Sequence, residues 1–153
     1  MRQQTKDILI RFDEFGSYET PTDFNSKEIK SNVSKLTNNL IDKFGVDFIV
    51  DDQIQDASFF CDIKLPHDLV INPKPQIGYS IRISNFGQLA TINFETEYSK
   101  ETVQAIINIL DQNGFVYVSA DELDEDYDGS FTDFYNLLGG ETPSWGIRYF
   151  DYL

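Results

Sequence analysis

The spacing of apolar residues changes period along the chain, and each change predicts a different element. From Asp7 to Phe12, Ile8, Ile10 and Phe12 alternate with Leu9 and Arg11, which predicts a strand. Gly16 to Asn25 is polar, contains Pro21 and reads as a turn-rich connection. Ser26 then serves as a helix N-cap. Ile29, Val33, Leu36, Leu40 and Phe44 recur at intervals of 3 or 4 residues, the stripe of one helix face, until Gly45 stops the helix.

Asp47 to Val50 predicts a short strand. Phe59, Cys61, Ile63 and Leu65 alternate with Phe60, Asp62 and Lys64, the pattern of a half-buried strand, and Pro66 ends it. Pro73 and Pro75 keep the following segment an extended loop. Tyr79, Ile81 and Ile83 form a further inward face. After the turn residues Asn85 to Gln88, so do Ala90, Ile92 and Phe94, which makes an antiparallel hairpin. Ser99 caps a second helix that carries Val103, Ile106, Ile107 and Leu110 and stops at Gly114. Phe115 to Val118 is a short apolar strand. Phe131, Phe134, Tyr135 and Leu138 suit a short third helix before Gly139-Gly140, and Trp145 to Leu153 reads as a final strand or turn. The pattern predicts a single α+β domain over 1–153. Its antiparallel sheet has two main helices packed on one face and a short third helix near the C-terminus.

Composition agrees with a packed core. Of 153 residues, 41% are hydrophobic, and 13 Phe and 8 Tyr oppose the disorder that a net charge of −14 would otherwise suggest. The charge is uneven: residues 101–153 carry Arg148 against 11 acidic side chains, a net of −10. A surface of that sign attracts cations and repels phosphate, which argues against direct nucleic-acid binding. The single Cys61 excludes an intramolecular disulfide and a Cys-based zinc site. No apolar run has the length of a membrane span, and the first residues lack a secretory pattern, so a cytoplasmic protein without membrane contact is expected.

The strongest local motif is Asp124-Glu125-Asp126-Tyr127-Asp128-Gly129. Carboxylates at positions 1, 3 and 5 followed by Gly match the opening of an EF-hand calcium loop. Asp124, Asp126 and Asp128 are therefore candidate ligands, and the 124–135 loop a candidate calcium or small-ligand site. The twelfth position, however, is Tyr135 where a bidentate Glu belongs, so a remote carboxylate such as Glu141 or Asp151 would have to complete the shell. The competing reading is an acidic turn made by Gly129. A catalytic carboxylate pair of the hydrolase kind has no signature in sequence. Cys61 lies on the apolar face of its strand, which suits an inert buried thiol better than a nucleophile served by His67. Gly139-Gly140-Glu141 lacks the spacing and the following Lys of a phosphate loop. The expectation is a non-enzymatic protein that needs no cofactor.

The tail places Trp145, Ile147 and Tyr149 at the edge of the core with Arg148 paired to an acid, or offers them to a partner. The Tyr127-Asp128-Gly129 turn, the short helix after it and the terminal Trp145-x-x-Arg148-Tyr149-Phe150-Asp151 together resemble small acidic bacterial proteins of the toxin-immunity kind, over residues 115–153. The resemblance implies stoichiometric binding of a cognate protein toxin or another basic protein, such as a nuclease, without catalysis. The contact surface expected from the acidic segment is Asp121, Glu122, Asp124, Glu125, Asp126 and Asp128, with an exposed Tyr127 as anchor.

Overall fold

A computed structural model describes residues 1–152. Its first element is a helix, α1 (Gln3–Phe12), where alternation predicted a strand over 7–12. The six-residue window holds both periods, because Ile8 and Phe12 are four apart and also alternate. Burial separates them: Leu9 is fully buried, while Ile10 is 49% exposed. A strand facing the core with Ile8, Ile10 and Phe12 would do the reverse.

Helix α2 (Ser26–Phe44) buries Ile29, Val33, Leu36 and Leu40. Its cap falls one residue before the expected Ser26: the Asn25 side chain accepts a hydrogen bond from the Glu28 N–H at 3.1 Å. Gly45 ends the helix in the left-handed conformation. The strands are β1 (Ile49–Asp51), β2 (Phe59–Lys64), β3 (Ser80–Ser84) and β4 (Leu89–Ile92), followed by α3 (Lys100–Gln112) and β5 (Val116–Tyr117). Ser99 caps α3 by accepting from Thr102 N–H at 3.1 Å. Three short helices follow: α4 (Ala120–Leu123), α5 (Phe134–Leu137) and α6 (Trp145–Phe150).

The architecture is α+β around one five-stranded sheet in the order β1-β2-β3-β4-β5. The first four strands form an antiparallel meander, but β5 lies parallel to β4, with Leu89 opposite Val116 and Ala90 opposite Tyr117. The sheet is therefore mixed where an antiparallel one was expected. Helix α3 carries the chain back to the starting end of β4, the crossover that parallel neighbours require.

Register gives the sheet two unlike faces. Cys61 opposes Ile83, Ile63 opposes Ile81, and Ile81 opposes Ile92, an apolar row that joins Leu36 and Leu40 of α2 and Ile106 and Leu110 of α3 in one buried cluster. The alternate positions put Asp62, Arg82 and Thr91 side by side on the other face. A second cluster joins Leu9 of α1 to Phe86, Leu89 and Val118 and to Trp145, Tyr149 and Phe150 of α6.

The tail expected as a strand or turn is thus a helix. Ser144 caps it by accepting from Ile147 N–H at 3.2 Å, and the turn spacing of Trp145 and Tyr149 buries both rings. Its aromatic side chains pack with Leu9 of the first helix in the second cluster. The hairpin turn meets the same helix. Gly87 has φ +57°, and the Phe12 ring lies 2.4 Å from where a Cβ would stand.

The helical assignment of residues 3–12 yields opposite outcomes at adjacent positions. Leu9→Ala is expected to cost about 2–5 kcal/mol of unfolding free energy, and Ile10→Ala within about 0.5 kcal/mol. Urea denaturation of both variants checks this; a larger loss at Ile10 would restore the strand.

Candidate functional site

The acidic segment begins at α4, a single turn after β5. Of the seven residues expected at a contact surface, Asp121, Asp124, Glu125, Asp126 and Asp128 are exposed. The other two point into the fold. Glu122 is 7% exposed, and Tyr127, expected as an exposed anchor, is half-buried between the Phe134 and Trp145 rings.

Glu122 works as a clamp on the N-terminus of α1. Arg2 donates through Nε and Nη2 to its two carboxylate oxygens at 2.9 Å each, and the Arg2 backbone N–H adds a third bond at 3.1 Å. Ser119 Oγ donates a fourth at 3.2 Å. Helix α1 has no acidic residue in its first turn and no side-chain cap, so this carboxylate supplies the negative charge that a helix start favours. The Arg2 hydrogen bonds hold the Glu122 carboxyl well below its ordinary value, at about 2, against the opposing effect of burial.

The exposed residues are less uniform than their spacing suggested. Asp128 pairs with Lys6 of α1, and that hydrogen bond lowers its pKa. Glu125 meets the amino group of Met1. Asp121, Asp124 and Asp126 form no ion pair among the described residues. The backbone beneath them is anchored: Tyr127 N–H donates to Pro143 C=O at 2.8 Å and Trp145 N–H to Glu125 C=O at 3.1 Å. The three candidate calcium ligands do not converge. Asp124 follows the end of α4, Asp126 bridges to Ser144, and Asp128 turns to Lys6. Among the described residues no group of three or more His, Cys, Asp or Glu could hold a metal ion.

Behind this surface lies a charged centre. Arg148 Nε donates to Asp13 Oδ1 at 2.9 Å, with both side chains at 1% exposure or less. The other carboxylate oxygen accepts from Tyr127 Oη at 2.6 Å, Ser130 N–H at 2.6 Å and Ser130 Oγ at 3.1 Å. The guanidinium lies 4.5 Å from the Phe86 ring centroid and 5.0 Å from that of Tyr149. Gly129 makes the approach possible, since a Cβ there would stand 2.2 Å from Asp13 Oδ2. The glycine of the calcium-like motif therefore admits a carboxylate from the far end of the chain. Burial and the Asp13 hydrogen bond push the Tyr127 phenol above its ordinary pKa, so it stays protonated and donating.

Cys61 is fully buried, and desolvation pushes its thiol pKa up, which leaves an inert core residue. His67 opens a single 3₁₀ turn, its ring packed edge-on to Tyr79. Asp13 escaped the reading of the sequence because nothing local marks it: its partner is 135 positions away. The one available signal was Arg148, a lone base among aromatic residues.

Comparison with models of known protein families, with curated protein sequences and with solved structures finds no match to this chain.

Two outcomes test the site's construction. Asp13→Asn keeps the shape but leaves Arg148 buried without its counter-charge, at an expected cost of about 3–5 kcal/mol. Chemical denaturation measures it, and a loss within experimental scatter would remove the pair from the centre of the fold. Glu122 has its folded pKa depressed, so its contribution is complete above the unfolded value near 4.5 and disappears as pH falls toward about 2. That contribution is on the order of 2 kcal/mol, discounted because Arg2 is solvent-exposed. The stability gap between wild type and Glu122→Gln should be widest at neutral pH and close across this window; a constant gap would contradict the assignment.

Proposed function

We propose that the protein is a non-catalytic binding module that captures a basic protein through the surface of the 121–128 segment. The observation that carries the reading is three exposed carboxylates, Asp121, Asp124 and Asp126, without ion pairs among the described residues, on a backbone pinned to the second core. Unscreened charge on a rigid support speeds encounter with a cationic partner and adds complementarity on docking. Glu125 and Asp128 lie on the same surface, but their charge is matched by the Met1 amino group and by Lys6.

An immunity-type inhibitor fits this chemistry best. Carboxylates held in place occupy the cationic cleft with which a toxin, such as a nuclease, would bind phosphate. The site of action we propose is the cytoplasm; no helix of the described residues is long and apolar enough to cross a membrane. Tyr127 has a different part from an interface anchor, since its hydroxyl is committed to Asp13. It sets the height of the loop, and the contact falls to the carboxylates around it.

Capture from native extract across a salt series tests the reading. Wild type should retain a basic protein in a fixed molar ratio, with affinity falling as salt rises. Asp121→Asn, Asp124→Asn and Asp126→Asn combined should weaken capture about tenfold or more and flatten the salt dependence. The melting temperature should hold, because none of the three makes an ion pair among the described residues. A partner bound equally by the triple variant, or an acidic partner, would overturn it.

A further inference from the structure

Beside the acidic segment, a group of touching rings runs from the interior out to solvent. Phe131 and Phe134 are buried and stacked on each other, with centroids 5.9 Å apart. Phe15 meets Phe131 edge-on at 5.5 Å, and Tyr18 meets Phe131 and Phe134 at 5.3 Å each. The outer members are open. Phe15 is 62% exposed and Tyr18 half-buried; Leu137, three residues on from Phe134 and so its neighbour on α5, is 58% exposed. A single apolar side chain on a surface is ordinary, but apolar groups joined by contact form a patch, and a patch marks a docking surface.

The charge around the patch selects what covers it. Residues 12–26 and 121–147, which build it, contain no Lys or Arg. Glu19 and Asp133 are exposed and form no ion pair among the described residues, and neither does Glu14, next to Phe15 in the chain. Arg148 lies 5.8 and 6.0 Å from the Phe131 and Phe134 centroids, but it is buried and its charge is matched by Asp13. A second copy of the chain would set these carboxylates against their own kind, and anionic lipid headgroups would be repelled. Apolar side chains flanked by cations are the complement. The patch also adjoins the acidic segment, since the Tyr127 ring lies 5.2 Å from that of Phe134 and its hydroxyl accepts from Phe131 N–H at 2.8 Å.

We propose that this patch is the apolar anchor site for an amphipathic basic segment of the protein that the acidic surface captures. The partner's identity rests on the reading above, but the anchor site uses none of Asp121, Asp124 and Asp126. Apolar side chains of the segment cover Phe15, Tyr18 and Leu137, while its Lys or Arg residues face Glu19 and Asp133. Apolar contacts that exclude water carry most of an interface's energy, and exposed charge mainly sets the rate of encounter. The acidic segment therefore attracts the partner, and the patch holds it.

NMR titration of the full chain tests the patch with a peptide that has Leu on one helical face and Lys on the other. It should give saturable amide shifts at Phe15, Tyr18, Phe134 and Leu137. The same peptide with Ser for Leu, or with Glu for Lys, should not. Phe15→Ser should weaken peptide binding and capture from extract about tenfold, the order of one hot-spot side chain. Leu137→Ser, at the opposite end of the patch, should weaken both in the same direction, so that the test stands if one variant folds poorly. Neither change removes a charge, so the salt dependence of capture should stay that of wild type, unlike the flattening expected of the triple aspartate variant. Sedimentation equilibrium should find a monomer; a dimer dissolved by Phe15→Ser would give the patch to a second copy and overturn the proposal. Equal binding of the Ser or Glu peptide, or unchanged peptide binding and capture in both variants, would overturn it as well, and capture through the three aspartates would still stand. If wild type captures no basic protein but takes the Leu/Lys peptide at the patch, the earlier reading fails and the anchor site remains.

Discussion

Arg148 and Asp13 meet at 2.9 Å where neither side chain reaches solvent, and much of the second half of the fold is arranged around that contact. An ion pair taken out of water costs less the more of its hydrogen-bonding capacity is met. Here Asp13 collects Tyr127 Oη, Ser130 N–H and Ser130 Oγ, while Arg148 donates to Glu14 C=O at 3.3 Å and is walled by the rings of Phe86 and Tyr149, with Nη1 buried and without a hydrogen-bond partner among the described residues. Each partner comes from a different stretch of chain. The pair therefore ties the end of α1, the 127–130 turn and α6 into one unit, and a buried charge left alone would be the penalty for separating them.

This arrangement gives the acidic segment its rigidity. Without it, residues 121–128 would be a charged loop like any other. With it, the segment is held below by Tyr127, at its start by Glu122 on Arg2 and Ser119, and along its length by backbone bonds to Pro143 and Trp145. The carboxylates fall into two kinds. Some are joints of the fold, with their charge cancelled by Arg2, Lys6 or the Met1 amino group, and the remainder face solvent uncancelled. Formal charge by sequence position does not separate these kinds, because the cancelling bases sit at the opposite end of the chain.

The two faces of the sheet show a parallel division of labour. One is apolar and shares a buried cluster with residues of α2 and α3. The other carries Asp62, Arg82 and Thr91 in register, an arrangement that strand alternation alone imposes once Cys61, Ile81 and Ile83 are turned to the core. Helix α6 covers this polar row incompletely, and its Phe150 carbonyl accepts from Arg82.

Periodicity in the sequence was sufficient for the elements that repeat their pattern often enough. The stripe from Ile29 to Leu40, the alternation from Phe59 to Ile63 and the 80–92 hairpin each bury what their spacing predicts, and the capped helix after Ser99 forms as expected but buries Ile106, Ile109 and Leu110 with Val103 and Ile107 only partly covered, because several turns or pleats must agree on one face. It was insufficient at both ends of the chain. Residues 7–12 and 145–150 are too short to separate a period of two from one of 3.6, and each becomes a helix because it packs against the other in the second core. The parallel placement of β5, the burial of Glu122 and Tyr127, and the meeting of Asp13 with Arg148 were decided by tertiary structure alone. Local sequence determines which residues share a face; which distant groups meet across it depends on closing the chain.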